Sequence, residues 1–222
     1  MLEEAAAMAR NTVIFGDSYS TFEGYIPEGY DTYYSPEAFP ENGVTKAEQT
    51  WWHQVVKEAD LRLLLNNSWS GSTIGYIGYD NRDCSGDSSF IFRLRQLEKQ
   101  GFFAENRVDT VFVFGGTNDS WADAPLGVEK LQDWEEQDLY CVLPAVFCFF
   151  KSLKAQLPEA EIYCLINTEL KPEITSAMRR ACSAYEITPV CFETIEKISG
   201  HPTVHGMRQI CDAVLQVMRQ HL

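Results

Sequence analysis

Basic residues are scarce in this chain: 18 Lys and Arg stand against 32 Asp and Glu, giving a formal net charge of −14. A surface of that sign repels phosphate backbones and anionic lipid head groups, so nucleic acid and acidic membranes are poor partners. Histidine is rarer still, with 4 in 222 residues, and the chain has neither a CxxC pair nor a paired Cys/His spacing. No metal centre is expected from such a set. The 7 cysteines are an odd number, which argues against a disulfide framework. Cys141, Cys148, Cys164, Cys191 and Cys211 lie in apolar segments and read as reduced, buried thiols, whereas Cys84 sits in a polar stretch and is expected to be exposed. No apolar run is long enough to span a bilayer. The opening Met1-Leu2-Glu3-Glu4-Ala5-Ala6-Ala7 lacks the basic n-region and long apolar core of a secretion signal, so a cytoplasmic location is expected.

What is present is a folding composition: 45% hydrophobic and 13% aromatic residues, with no internal repeat. One α/β domain covering residues 1–222 is the default for this length. The chain is organised around Thr12-Val13-Ile14-Phe15-Gly16-Asp17-Ser18-Tyr19-Ser20, a short apolar run that ends in Gly-Asp-Ser. The run reads as a buried first strand, with Gly16 allowing a sharp turn just past its end. Ser18 then sits at the carboxyl edge of a sheet, where open α/β proteins place their ligands. On its own a serine there favours a helix N-cap over a nucleophile.

Residues 19–46 are rich in Tyr, Pro, Gly and Glu, with Phe22, Tyr25, Tyr30, Tyr33, Tyr34 and Phe39 lacking either helical or strand periodicity. So aromatic a stretch predicts an ordered loop. A helix is predicted over 50–59, a strand over 61–66, a loop over 76–87 and a helix from Ser88 or Ser89 to about Gln100. An almost wholly apolar strand over 109–114 follows, then an acidic loop carrying Trp121 and Trp134 and an apolar helix over 139–157. A strand over 161–167, a helix over 172–185, a strand over 187–192 and a helix from Thr203 to about Gln220 complete the chain. Strands alternating with helices predict a three-layer α/β/α sandwich of the flavodoxin-like kind, with a five-stranded, mainly parallel sheet. Right-handed crossovers bring the loops after the strands to one rim, and Ser18, Gly71, Asn118 and His201 all belong to such loops.

Four segments together resemble the SGNH (GDSL-type) hydrolase family: Gly16-Asp17-Ser18, Asn67-Ser68-Trp69-Ser70-Gly71, Gly116-Thr117-Asn118-Asp119, and His201-Pro202 before a final helix. The resemblance implies a serine esterase that needs no cofactor. Ser18 would be the nucleophile and His201 its base. The backbone N–H groups of Ser18 and Gly71 and the side-chain amide of Asn118 would form the oxyanion hole. Physical chemistry supports these assignments, because a serine hydroxyl needs a base at neutral pH and a histidine titrates near it. The implied substrates are small-molecule or carbohydrate esters, with acetyl the leading acyl group. A lysophospholipase or thioesterase, or a non-catalytic carbohydrate-binding protein on this fold, are the alternatives.

The departure is at the triad acid. The family carries Asp three residues before the histidine, and this chain has Ile198 there. A Ser–His dyad oriented by a main-chain carbonyl, an acid supplied by Glu196 or Glu193, and loss of catalysis are the readings left open, the dyad being favoured. Around the motifs the plain readings are structural. His205 is taken as a solvated helix residue, His53 as satisfied or at the surface, and Asp17 and Asp119 as acceptors for backbone N–H groups in their turns. Arg93 is expected in a surface ion pair. The aromatic residues of the rim loops, Trp69, Tyr76, Tyr79 and Trp121 among them, could line a substrate site. Residues 123–138 are either a lid or an inert excursion.

Overall fold

A computed structural model describes residues 9–37 and 40–220. The expectations for Met1 to Ala7 and for Phe39 lie outside the described residues. The first strand, β1 (Arg10–Gly16), is followed by short turns, and then come α1 (Trp51–Glu58) and β2 (Leu61–Ser68). Next are α2 (Phe90–Lys99), the single turn α3 (Phe102–Glu105), β3 (Thr110–Phe114) and the short α4 (Thr117–Trp121). The chain continues through α5 (Val142–Gln156), β4 (Glu161–Ile166), α6 (Pro172–Ala184) and β5 (Thr188–Cys191). It ends in a small hairpin, β6 (Lys197–Ile198) and β7 (His201–Pro202), and the long α7 (Val204–Gln220).

The five main strands form one sheet in the order β2-β1-β3-β4-β5, and every pairing is parallel. This is the flavodoxin-like order expected of the sequence, with its topological switch between β1 and β3. The central strands read as unbroken apolar runs because both their faces are covered. Val13, Phe15, Val111, Val113, Ile162 and Cys164 point into a core shared with α2, α5 and α6. Their neighbours Ile14, Phe112, Phe114, Tyr163 and Leu165 pack on the other face with Trp51, Trp52 and Val55 of α1 and Met207, Ile210 and Val214 of α7. The two-residue period of a strand thus feeds two cores at once.

Helix boundaries follow local capping. Ser89 Oγ accepts from Phe92 N and starts α2, Thr50 Oγ1 accepts from His53 N and starts α1, and Thr203 Oγ1 accepts from Gly206 N in the first turn of α7. The apolar helix expected over 139–157 begins at Val142, because residues 136–140 form a 3-10 turn. Gly16 has a different role from the one expected. A Cβ at this position would lie 2.4 Å from Ser68 Oγ, so it is close packing between β1 and β2 that calls for glycine. Residues 19–46 are the ordered loop expected of them, with Tyr19, Phe22 and Tyr34 buried and Glu23 N donating to Tyr34 O. The 123–138 segment is anchored: Val142 N donates to Pro125 O and Leu143 N to Leu126 O, while Lys130 pairs with Asp138 and Arg180 with Glu129. Among the described residues no helix is long and apolar enough to cross a membrane, and no group of His, Cys, Asp and Glu could hold a metal ion.

Candidate active site

The switch point of the sheet decides where the chemistry collects. β1 delivers Ser18 and β3 delivers Asn118 to either side of it, the loop after β2 adds Gly71, and β7 adds His201. All four line one cavity of about 270 Å³, together with Asp31, Tyr33, Tyr79 and Trp121. Ser18 opens a 3-10 turn and does not cap it. The cap is Asp17, whose Oδ1 accepts from Tyr19 N at 3.0 Å. The hydroxyl of Ser18 is thereby left for other partners.

That partner is His201, whose Nε2 lies 3.1 Å from Ser18 Oγ. On the far side of the ring, Nδ1 lies 3.2 Å from the carbonyl oxygen of Ser199. A carbonyl can only accept, so Nδ1 carries the proton and the Nε2 lone pair faces the serine hydroxyl. The carbonyl reaches that place through the hairpin turn. Ser199 (φ 51°) and Gly200 (φ 79°) are both left-handed, as a two-residue type I′ connection requires, and Ile198 is paired across it with His201. Tyr33 stacks on the imidazole at 3.9 Å with the planes 14° apart, Trp121 meets its edge, and Tyr19 Oη donates to Gly200 O.

The side of the cavity formed by Gly71 and Asn118 is equally pinned. Gly71 has φ +74°, a conformation that disfavours any side chain, and a Cβ there would meet no protein atom within 4 Å. Asn118 Nδ2 donates one hydrogen to Ser72 O at 2.9 Å, and its Oδ1 accepts from Tyr79 Oη at 2.9 Å. Asp119 accepts from Ile74 N and Gly75 N, fixing the loop after Gly71 against α4. Behind both loops lies Arg93, which is 1% exposed. Its guanidinium donates to the carbonyls of Gly16, Asn67 and Ser88 and to Ser72 Oγ. The expected surface ion pair is therefore corrected: Arg93 is a buried tether, its charge offset by these charge-assisted bonds.

The profile of the GDSL-like lipase/acylhydrolase family matches residues 10–218. The chain belongs to this family. It is a hydrolase of the esterase and lipase type. It is 40% identical to a structure described as a GDSL-like lipase from Bacteroides ovatus, at a TM-score of 0.87, over 96% of this chain and 99% of that one. A second such structure, from Bacteroides uniformis, is also 40% identical at a TM-score of 0.86, over 96% of each chain. An acetyl xylan esterase from Butyrivibrio proteoclasticus shares the fold at 16% identity and a TM-score of 0.62, over 97% of this chain and 64% of that one. No curated protein matches.

Burial lowers the pKa of His201 from its ordinary value, with the Lys197 ammonium adding to the shift and the bond to Ser199 opposing it. Burial raises Asp17 to about 7 and Asp119 to about 6, even though each accepts backbone N–H groups. The structure draws Glu196 elsewhere: its carboxylate accepts from Thr203 Oγ1, and Glu193 is exposed. Both are corrections to the idea of a nearby glutamate acting as triad acid. His205 is exposed on α7, as expected. Two cysteines are reversed: Cys84 is buried against Gly78, and Cys191 on the edge strand β5 is exposed. Sequence reasoning missed Asp31 as a lining residue. It weighed the aromatic residues of the 19–46 loop, Tyr33 among them, as a substrate-facing surface but not Tyr33 as the plate on His201, since an aperiodic loop does not tell which ring packs where. The Ser199-Gly200 turn was missed as well, although a Ser-Gly pair is a turn signal that could have pointed to it.

Proposed function

We propose that the protein hydrolyses small acyl esters through an acyl-enzyme on Ser18. The observation that carries this reading is the 3.1 Å separation between His201 Nε2 and Ser18 Oγ inside the shared cavity. Ser18 Oγ attacks the ester carbonyl as its proton passes to Nε2. The oxyanion accepts hydrogen bonds from Ser18 N, Gly71 N and the second Asn118 Nδ2 hydrogen. Collapse breaks the bond to the alcohol oxygen, which takes the proton back from Nε2. Water activated by the same nitrogen then cleaves the acyl-serine ester and restores the hydroxyl. The Ser199 carbonyl orients the imidazole throughout, so the site works as a dyad.

A short acyl group, acetyl foremost, fits best because the cavity wall is polar and aromatic, with no aliphatic side chain among its lining residues. Carbohydrate acetates are the natural-substrate class we favour, the aromatic rim offering faces on which a sugar ring can stack. The test is p-nitrophenyl acetate turnover and labelling by a fluorophosphonate. Wild type should do both, while Ser18→Ala and His201→Ala should lose roughly 10³-fold or more in kcat. Wild-type protein that neither turns over nor labels, or a Ser18→Ala variant equal to it, would refute the proposal. A p-nitrophenyl acyl series should fall off beyond butyrate; sustained activity on long chains would instead favour a lysophospholipase or thioesterase.

A further inference from the structure

Tyr79 is placed where two features of the cleft meet. The 270 Å³ cavity around Ser18 adjoins a larger polar one of about 480 Å³, and the two share Asp31, Gly71 and Tyr79. The Tyr79 ring is 41% exposed, so core packing does not explain it. Its hydroxyl nonetheless makes a specific inward bond, donating to Asn118 Oδ1 at 2.9 Å.

The loop that presents it is strained. Asp80 (φ 55°) and Asn81 (φ 57°) are consecutive left-handed residues that are not glycine, and the reversal is closed by Gly78 N to Arg82 O and Arg82 N to Tyr79 O. Strain of this kind persists only where the surroundings over-determine it, and it gathers at functional sites. We propose that Tyr79 is a positioning residue of the oxyanion hole, holding the Asn118 amide so that its free N–H points at the developing oxyanion. This rests on the reading of Asn118 as an oxyanion donor.

The physical argument runs through the amide's two ends. Ser72 O takes one Nδ2 hydrogen and so selects which end of the amide is nitrogen. That bond alone leaves the plane of the amide free to swing about it. The Tyr79 bond at Oδ1 pins the opposite end, and two fixed ends define the direction of the remaining N–H. A donor at Oδ1 also polarises the amide, making its N–H a stronger donor. Burial pushes the Tyr79 hydroxyl up to about 12, so it stays protonated and able to donate throughout the working pH range.

The experiment is a double-mutant cycle on p-nitrophenyl acetate, with Tyr79→Phe, Asn118→Ala and the pair, each checked by thermal melting. Tyr79→Phe removes one oxygen from a half-exposed ring and should keep the wild-type Tm. Its kcat should drop about five- to tenfold, the usual scale of one hydrogen bond, with KM unchanged. In the Asn118→Ala background the same substitution should change kcat by less than twofold, because nothing is left to position. An equal loss from Tyr79→Phe in both backgrounds would overturn the inference while leaving the oxyanion hole standing. Wild-type turnover in Asn118→Ala would instead overturn the oxyanion reading, and this inference with it.

Discussion

The residue on which the site turns is His201, and its environment sets a pH signature. Burial and the Lys197 ammonium both disfavour the imidazolium, so its pKa lies below the ordinary histidine value. A base must be unprotonated, and a lowered pKa keeps it so at more acidic pH. We therefore expect the midpoint of the acid limb of kcat/KM on the non-ionising p-nitrophenyl acetate to lie below the ordinary histidine value of about 6.5. Removing the ammonium in Lys197→Met should move that limb upward. A wild-type limb above the ordinary value would contradict the assignment. At this scale the sequence was legible wherever a residue's role depends on its own backbone neighbours. Ser18, Asn118 and His201 stand in motifs that local turns deliver to one sheet edge. Arg93 was misread because its burial depends on the carboxyl ends of β1 and β2 and the loop after β2, which reach it from other parts of the chain. Cys84 was misread because its own polar loop folds back on it at Gly78 and Arg82.

At the scale of elements, the β6–β7 hairpin positions His201, the base of the proposed mechanism. Gly200 sits at φ +79°, and a Cβ there would meet the Trp121 ring at 2.9 Å. Gly200→Ala should therefore strain the turn by about 1–2 kcal/mol, lower Tm by about 2–8 °C and misplace His201. Displacement on the ångström scale at such a site reduces kcat by up to about a hundredfold. Ser199→Ala should stay within about twofold of wild type, since the group in use is the backbone carbonyl and the residue already adopts its left-handed φ. Steady-state kinetics with melting curves checks both, and a Ser199→Ala loss matching that of Gly200→Ala would show that the side chain matters. The long elements were readable because a 3.6-residue apolar period declares the helices and an unbroken apolar run the central strands. The hairpin was not, because two-residue strands have no period and their place comes from packing against α7.

At the scale of the whole molecule, the sheet order places the β1–β3 switch under the cleft, and the chain as a whole carries a formal net charge of −14. Asp31 brings one of those charges to the cavity wall. An ester carrying a carboxylate should be repelled on approach, and added salt should relieve the repulsion. Its kcat/KM should rise between roughly 0.01 M and 1 M ionic strength, over which the screening length shrinks about tenfold. The neutral p-nitrophenyl acetate should be indifferent, and identical salt responses for the two would remove the field from the account. The sheet was plain from the alternation of apolar runs, whereas at the acid position, an isoleucine, the sequence favoured a main-chain carbonyl as the replacement without indicating which one. That replacement has an evolutionary consequence. A carboxylate that orients a histidine can be lost through one codon, but every residue carries a backbone carbonyl. In the proposed dyad the orienting group survives any substitution that preserves the shape of a two-residue turn, so its inheritance is a matter of conformation and not of side-chain identity.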